Sequence, residues 1–370
     1  MYSGMKEEEL AYFLAIHAVT FAGARKMQEL KDYFGGFREV WEAEAGELKA
    51  FRFLPGKLDA LLAARKNLDP LAYREVLYSK GYSIRTIFDK TYPEALRSLY
   101  DPPAVLYGWG KVETLDQQAI AVVGARKPSP YGRQIARSMA TDLARAGFWI
   151  VSGMARGIDT EAHLGALEAG GRTVAVLGSG IDVVYPRENK GLYSRIAETG
   201  VVVSEFPPGT PPEPKNFPIR NRIISGLSKG VLVVEARVKS GALITADWAL
   251  DQGRDVFAVP GPITSRLSQG TNNLIKQGAK LVTTVEDILE EYQLVLKDTE
   301  TGALPLGDLD RSSEFDMVLD LLGTEPVHLD QLVRLSGLTP GQLSGMLLEL
   351  QIRGIIEVLP GNYFIRLRGS

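Results

Sequence analysis

The stretch from Ala119 to Leu167, AIAVVGARKPSPYGRQIARSMATDLARAGFWIVSGMARGIDTEAHLGAL, constrains the fold most. Ala119 to Val123 is a short apolar run of strand type, stopped by Gly124-Ala125-Arg126 and a Pro/Ser turn. Tyr131 to Arg145 then places Ile135, Met139 and Leu143, with small Ala136 and Ala140, at helical spacing. Phe148 to Val151 is a second apolar run, ending in Ser152-Gly153-Met154-Ala155-Arg156-Gly157, and Ile158 to Ala169 is helical again. Strand, glycine turn and helix, repeated, predict a parallel α/β sheet. Glycines at the carboxyl ends of strands let backbone N–H groups approach an anion, and the helix N-termini behind them favour negative charge. A phosphate groove is the first expectation.

The alternation continues downstream. Thr173 to Leu177 reads as a strand ending in Gly178-Ser179-Gly180, followed by a helix over Leu192 to Glu198 and a strand over Val201 to Ser204. Phe206 to Phe217 is a proline-rich loop, long for a compact domain. Helices are predicted over Arg220 to Leu227 and Gly241 to Gln252, and strands over Val231 to Glu235, Val256 to Val259 and Lys280 to Val282. That gives six or more parallel strands in one sheet. Before it, 1–85 reads as helices over Glu8 to Val19, Ala24 to Phe34, Lys57 to Lys66 and Leu71 to Lys80. A helix-hairpin-helix, a sterile-alpha-motif (SAM) bundle and a plain structural cap all fit that pattern. Ala104 to Tyr107 reads as a lead-in strand. After it, 299–313 is a polar linker, and 314–370 spells three helices and a β-hairpin, the pattern of a winged helix. The expected domains are thus 1–85, 86–298 and 314–370.

Composition narrows the function classes. There are no cysteines and only three histidines, far apart in sequence, which disfavours disulfide, thiolate and metal chemistry and fits a cytoplasmic setting. No metal and no cofactor is expected. The N-terminus is acidic and no apolar run reaches membrane-spanning length. Net charge is −3, but residues 119–230 carry 14 Lys+Arg against 9 Asp+Glu, while residues 231–370 carry 12 against 19. Positive charge collects in the half-sheet with the glycine turns, which suits a polyanion.

Four glycine turns converge on one edge: Gly124, Gly153 to Gly157, Gly178 to Gly180, and Lys239-Ser240-Gly241. In an open α/β sheet ligands bind at that edge. The dinucleotide spacing Gly-x-Gly-x-x-Gly and the Gly-Lys-Ser/Thr phosphate loop are both absent. Asp159 and His163 share a helix face at i and i+4, and are expected to fix the glycine turn, with Asp159 capping and His163 bonded to it or to backbone. Lys215-Asn216-Phe217-Pro218-Ile219-Arg220-Asn221-Arg222 sets an aromatic among three cations. That is how a single strand is held without sequence preference: a ring stacks a base while cations hold phosphates. The residues alone equally allow Phe217 in the core and the arginines on a solvated face. The third helix of the winged unit, Gly341 to Gly354, carries Arg353 as its cation beside Glu349, a poor DNA reader that serves DNA or a protein partner.

These motifs carry a family resemblance. Val123-Gly124-Ala125-Arg126, Ser152 to Asp159 with Ala162-His163, Gly178-Ser179-Gly180 with Tyr185-Pro186, Ser204-Glu205-Phe206, Phe217-Pro218-x-Arg220-Asn221-Arg222-Ile223-Ile224, Ser240 to Ala246 and Gly253 to Gly261 resemble the DNA-processing protein A family (DprA, also called Smf). The resemblance runs from about Tyr92 to Val285. It implies an extended Rossmann-like domain that binds single-stranded DNA, forms a homodimer and loads the RecA recombinase in natural transformation, with no enzymatic activity. It implies DNA contacts from Arg126, Lys215, Phe217 and Arg187. With the glycine turns and the remaining cations, the expected DNA-binding set is Gly124, Arg126, Ser152, Gly153, Gly157, Arg187, Lys215, Phe217, Arg220, Asn221, Arg222, Lys239, Ser240 and Gly241. Lys239 stands where an Arg is common, keeping charge without the fork. The implied dimer surface falls near Val238, Leu274 and Ile275. The competing class is a nucleoside monophosphate glycosidase on a related fold, whose Pro-Gly-Gly-x-Gly-Thr turn this chain lacks.

Overall fold

The computed structural model describes residues 5–292 except 52, 54, 55, 113 and 114, and residues 313–366 except 324, 325, 353, 354 and 360. Residues 1–296 form one compact unit and 297–370 a second. The linker expected over 299–313 lies outside the described residues up to Ser313, which begins a helix. Arg353 also lies outside them.

The first unit opens with helices α1 (Glu7–Thr20), α2 (Ala24–Phe34), α3 (Phe37–Glu42), α4 (Ala45–Ala50), α5 (Leu58–Ala64) and α6 (Pro70–Ser79). Helices α3 and α4 were not expected. Gly35 ends α2 in the left-handed region at φ 89°, yet Gly36 is extended and caps a new helix at once. A capping box between Glu44 and Glu47 then starts α4. Next come β1 (Ser83–Thr86), α7 (Glu94–Arg97), β2 (Val105–Gly110) and β3 (Ala119–Val123). They are followed by α8 (Pro130–Arg145), β4 (Trp149–Ser152), α9 (Ile158–Glu168), β5 (Thr173–Val176), α10 (Lys190–Thr199) and β6 (Val201–Ser204). The unit ends with α11 (Asn216–Gly226), β7 (Gly230–Val233), α12 (Gly241–Asp251), β8 (Asp255–Ala258), α13 (Gln269–Lys276), β9 (Lys280–Leu281) and α14 (Glu286–Glu291).

The nine strands form one sheet in the order β1-β2-β6-β5-β4-β3-β7-β8-β9. From β6 to β9 every pairing is parallel, while β1 and β2 run antiparallel at one edge. Strands β3 to β6 extend one way from β3, and β7 to β9 the other. The strand order therefore switches between β3 and β7, and ligands bind outside the carboxyl ends there. Period-2 alternation sorts the sheet's side chains: Ile120, Val122 and Ile150 pack with Met139, Leu143 and Ala162 of α8 and α9. Ala121, Val123 and Val151 pack on the opposite face with Ile223 and Ile224 of α11 and Ala246 of α12.

The N-terminal helices are part of this layer. Phe13, Leu14, Met27 and Leu61 share one buried cluster with Tyr107 of β2, Ala175 of β5 and Val202 of β6. The boundary expected at 85/86 cuts through β1, whose Ser83 to Thr86 pair with Gly108 to Val105.

The second unit contains α15 (Ser313–Leu321), β10 (Val327–His328), α16 (Leu329–Ser336), α17 (Pro340–Ile352), β11 (Ile356–Leu359) and β12 (Tyr363–Arg366). Strand β12 pairs with both β11 and β10 over a core of Leu332, Leu343, Leu347 and Leu350. Three helices and a β-wing agree with the winged helix read from the sequence.

Candidate nucleic-acid interface

A groove of about 510 Å³ opens where the strand order switches. Its walls come from the turn after β3 (Gly124, Arg126), the turn after β7 (Lys239, Ser240, Gly241) and one face of α11. The local sequence explains each wall. Gly157 sits at φ 79° and packs on the backbone of Ala125 and Arg126, so a side chain there would push the Arg126 turn away. Ser240 caps α12 by accepting the Ala242 N–H at 3.3 Å, and Asn221 donates to the Gly241 carbonyl at 3.1 Å, which fixes the α12 N-terminus against α11.

Helix α11 begins four residues earlier than expected, at Asn216. Phe217 is therefore in its first turn, with Arg220 and Asn221 at i+3 and i+4 on the same face. The Phe217 ring packs against Gly178, where an added Cβ would lie 2.8 Å from it. The guanidinium of Arg126 lies over the ring, 5.3 Å from its centroid, and that of Arg220 lies 5.9 Å away. Tyr185 tilts against it at 5.7 Å. Phe217 is half-buried, while Arg126, Arg187, Lys215 and Lys239 are exposed. Lys215 pairs with Glu213 at 2.7 Å in solvent.

Arg220 is a floor rather than a contact. It is 3% exposed, and its guanidinium donates to the carbonyls of Gly153 and Val176, tying the ends of β4 and β5 together. Burial pushes its pKa down to about 10, still charged at neutral pH. Asp159 lies on the other side of Gly153, accepting N–H groups from Gly153 at 3.1 Å and Ala155 at 3.3 Å. Burial raises the Asp159 carboxyl, opposed by the Arg220 charge and those two N–H groups. A Cβ on Gly153 would lie 2.7 Å from both Asp159 Oδ2 and Arg220 Nη2. Glycine there lets the two charged groups approach one turn.

Several expected site residues are placed elsewhere. Arg222 lies roughly 140° around α11 from Phe217 at 100° per residue, and its side chain is 6% exposed. It makes a bidentate pair with Glu205 at 2.5 and 2.7 Å and donates Nε to the Asp101 carbonyl at 2.9 Å. It is a core ion pair and does not line the groove. Ser152 is fully buried with its hydroxyl donating to the Val122 carbonyl at 2.7 Å, and the Gly153 N–H is spent on Asp159. Neither is offered to a phosphate. Of the expected dimer residues, Val238 is 54% exposed, Ile275 is half-buried, and Leu274 is 6% exposed in the core with Val256 and Ala258. Leu274 is corrected to a core residue, since the apolar face of α13 packs onto β8. His163 does not reach Asp159. Its Nδ1 is 2.7 Å from the Thr173 hydroxyl, which donates to the Ile150 carbonyl, and burial lowers its pKa to about 3.

The sequence reading missed Glu235. It is 3% exposed and accepts the Ser129 N–H at 2.9 Å and the Ser129 hydroxyl at 2.5 Å, while that hydroxyl accepts the Gly132 N–H at the start of α8. The signal was available: Ser129-Pro130 is an N-cap followed by an N1 proline. Asp159, which lines the groove, and Glu235, which follows β7, are thus both engaged by backbone N–H groups. Among the described residues no group of His, Asp and Glu could hold a metal ion, and no helix is long and apolar enough to cross a membrane.

Residues 83–293 match the family model described as DNA recombination-mediator protein A, and residues 304–362 match the DprA winged helix domain. Protein Smf of Synechocystis is 34% identical over 98% of this chain and 100% of that protein. The DNA processing protein DprA of Bacillus subtilis is 47% identical over 69% of this chain and 82% of that protein. The X-ray structure of DNA processing protein A from Streptococcus pneumoniae aligns with a TM-score of 0.67 and 35% identity, covering 78% of this chain and 99% of that one. The Helicobacter pylori protein, whose structure is described for its single-stranded DNA binding mode, aligns with a TM-score of 0.52 and 32% identity over 57% of this chain and 95% of that one.

Proposed function

The chain belongs to the DNA recombination-mediator protein A family, and on that premise we propose that its groove binds single-stranded DNA without sequence preference. The observation that carries this reading is the Arg126–Phe217 pair at the strand-order switch. On binding, Arg126 moves from the ring to a phosphate, and Phe217 takes a base. Lys215, Arg187 and Lys239, all exposed, hold the backbone on either side, and the N–H groups at Gly124 and the Ser240-Gly241 cap line its path. Arg220 adds positive potential from below the floor. A base paired in a duplex cannot offer its face to the ring, whereas every unpaired base can.

In this reading the chain acts as a homodimer through the half carrying exposed Val238 and half-buried Ile275. It works in the cytoplasm, protects incoming DNA and hands it to the RecA recombinase in natural transformation. It acts by binding rather than catalysis, which the structural engagement of Asp159 and Glu235 supports.

The test is a mobility shift of single- and double-stranded oligonucleotides over a salt series. Arg126→Ala and Lys215→Ala should each lower the salt slope by about one. Phe217→Ala should weaken binding by about 1–3 kcal/mol and leave the slope alone. Equal affinity for duplex and single strand defeats the reading. RecA filament growth with and without the chain tests the loading step, and release of base from AMP tests the glycosidase alternative.

A further inference from the structure

Among the described residues the core tyrosines Tyr92, Tyr107 and Tyr193 are at most 3% exposed, each with its hydroxyl held inside. Tyr185 is different. It lines the groove and is 40% exposed. The residues after it are anchored: Pro186 is buried, and the buried Asn189 amide donates to the Met154 carbonyl at 2.9 Å. Its ring is thus presented from a braced turn.

Phe217 already has Gly178 against it and the Arg126 guanidinium over it. The Tyr185 ring is the more open aromatic surface of the groove. The two rings lie 5.7 Å apart at 48°. A base sandwiched between two rings needs about 7–8 Å, two contacts of roughly 3.5–4 Å. The pair is too close and too tilted for a sandwich, so the rings form two neighbouring steps of one shelf.

We propose that Tyr185 is a second base-stacking platform, so that the groove takes two successive nucleotides of a single strand, one on Phe217 and the next on Tyr185. This rests on the single-strand reading above and adds to it a residue and a dinucleotide footprint. Stacking on a ring needs no particular base edge, so the footprint carries no sequence preference.

The experiment compares a thymidine tract with an abasic deoxyribose-phosphate tract of equal length, using the full chain. Tyr185→Ala should weaken binding to the thymidine tract by roughly 5- to 150-fold, the range measured for one base–aromatic stack. Affinity for the abasic tract and the salt slope should stay unchanged. Tyr185→Phe should bind like the parent, since the ring and not the hydroxyl acts. Tyr185→Leu keeps apolar bulk beside Phe217 and should show the same base-selective loss as Tyr185→Ala, which covers the case in which the alanine variant folds poorly. An equal loss on both tracts, or no loss on either, overturns the proposal while leaving the single-strand reading standing. A parent chain that binds both tracts equally removes base stacking altogether.

Discussion

Arg222 separates a structural cation from a DNA-binding one, and the two roles differ in measurable quantities. Consider Arg222→Met, which keeps the apolar stem and removes the guanidinium. Glu205, whose side chain is 14% exposed, would lose two charge-assisted hydrogen bonds and remain buried with Arg220 as a more distant positive charge. The carbonyls of Asp101 and Ile219 would lose their donor as well. Breaking a buried pair from one side costs about 3–5 kcal/mol. The unit spans 296 residues, and unfolding entropy of about 2.1 cal/mol/K per residue gives roughly 0.6 kcal/mol/K. The expected fall in Tm is therefore about 5–8 °C. Glu205→Leu combined with Arg222→Met removes both charges and should recover most of that loss. The folded Arg222→Met protein should keep its single-strand affinity and its salt slope. Arg126→Ala should do the reverse, leaving Tm within about 1 °C because its guanidinium is exposed. Calorimetry and a salt-dependent binding titration on the same samples make the comparison. If Arg222→Met melts like the parent and its salt slope drops by about one, then Arg222 contacts phosphate and the core assignment is wrong.

Three further outcomes are expected. Burial holds the pKa of His17 at about 4 and that of His163 at about 3, below the unfolded value of about 6.5. The unfolded chain then takes up protons that the native chain refuses, so stability is level above pH 6.5 and falls by about 1.5–2 kcal/mol per histidine between pH 6.5 and 5; a urea midpoint that does not change over that range refutes this. Leu274→Glu should leave little folded protein because it buries an unpaired charge, whereas Val238→Glu should still fold and turn a dimer into a monomer by light scattering; a Val238→Glu protein that stays dimeric moves the interface elsewhere. Helix α17 has no Lys or Arg between Pro340 and Ile352, so a chain ending at Thr299 should keep its single-strand affinity within about tenfold, roughly 1.4 kcal/mol; a larger loss assigns DNA contacts to the winged helix.

The parallel sheet was legible because β3 to β8 are short apolar runs, and β3, β4 and β5 are each closed by a glycine turn. The antiparallel edge was harder to read. Ser83-Ile-Arg-Thr86 has two polar residues and one charge in four, and its stability as a strand comes from pairing with β2, a contact that local periodicity does not record. The same holds for the N-terminal helices. Their amphipathic faces were visible, but a face does not name the surface it covers, and here that surface is the sheet itself.

The site was legible in its parts and misassigned in one stretch, and a single boundary accounts for much of that. Reading 215–222 as loop followed by helix makes every cation in it equally available to a strand. Beginning α11 at Asn216 imposes a period of 3.6 residues on the same letters. Phe217, Arg220 and Asn221 then turn to the groove, and Arg222 turns away to Glu205. Pro218 hid this boundary, because proline inside a helix breaks it, whereas in the first turn its missing N–H has no partner to lose. The proline loop before it is correspondingly shorter and Lys215 becomes the N-cap, exposed beside Glu213. The three cations around Phe217 thus divide by geometry alone: Lys215 in solvent at the helix start, Arg220 beneath the floor between β4 and β5, and Arg222 in the core.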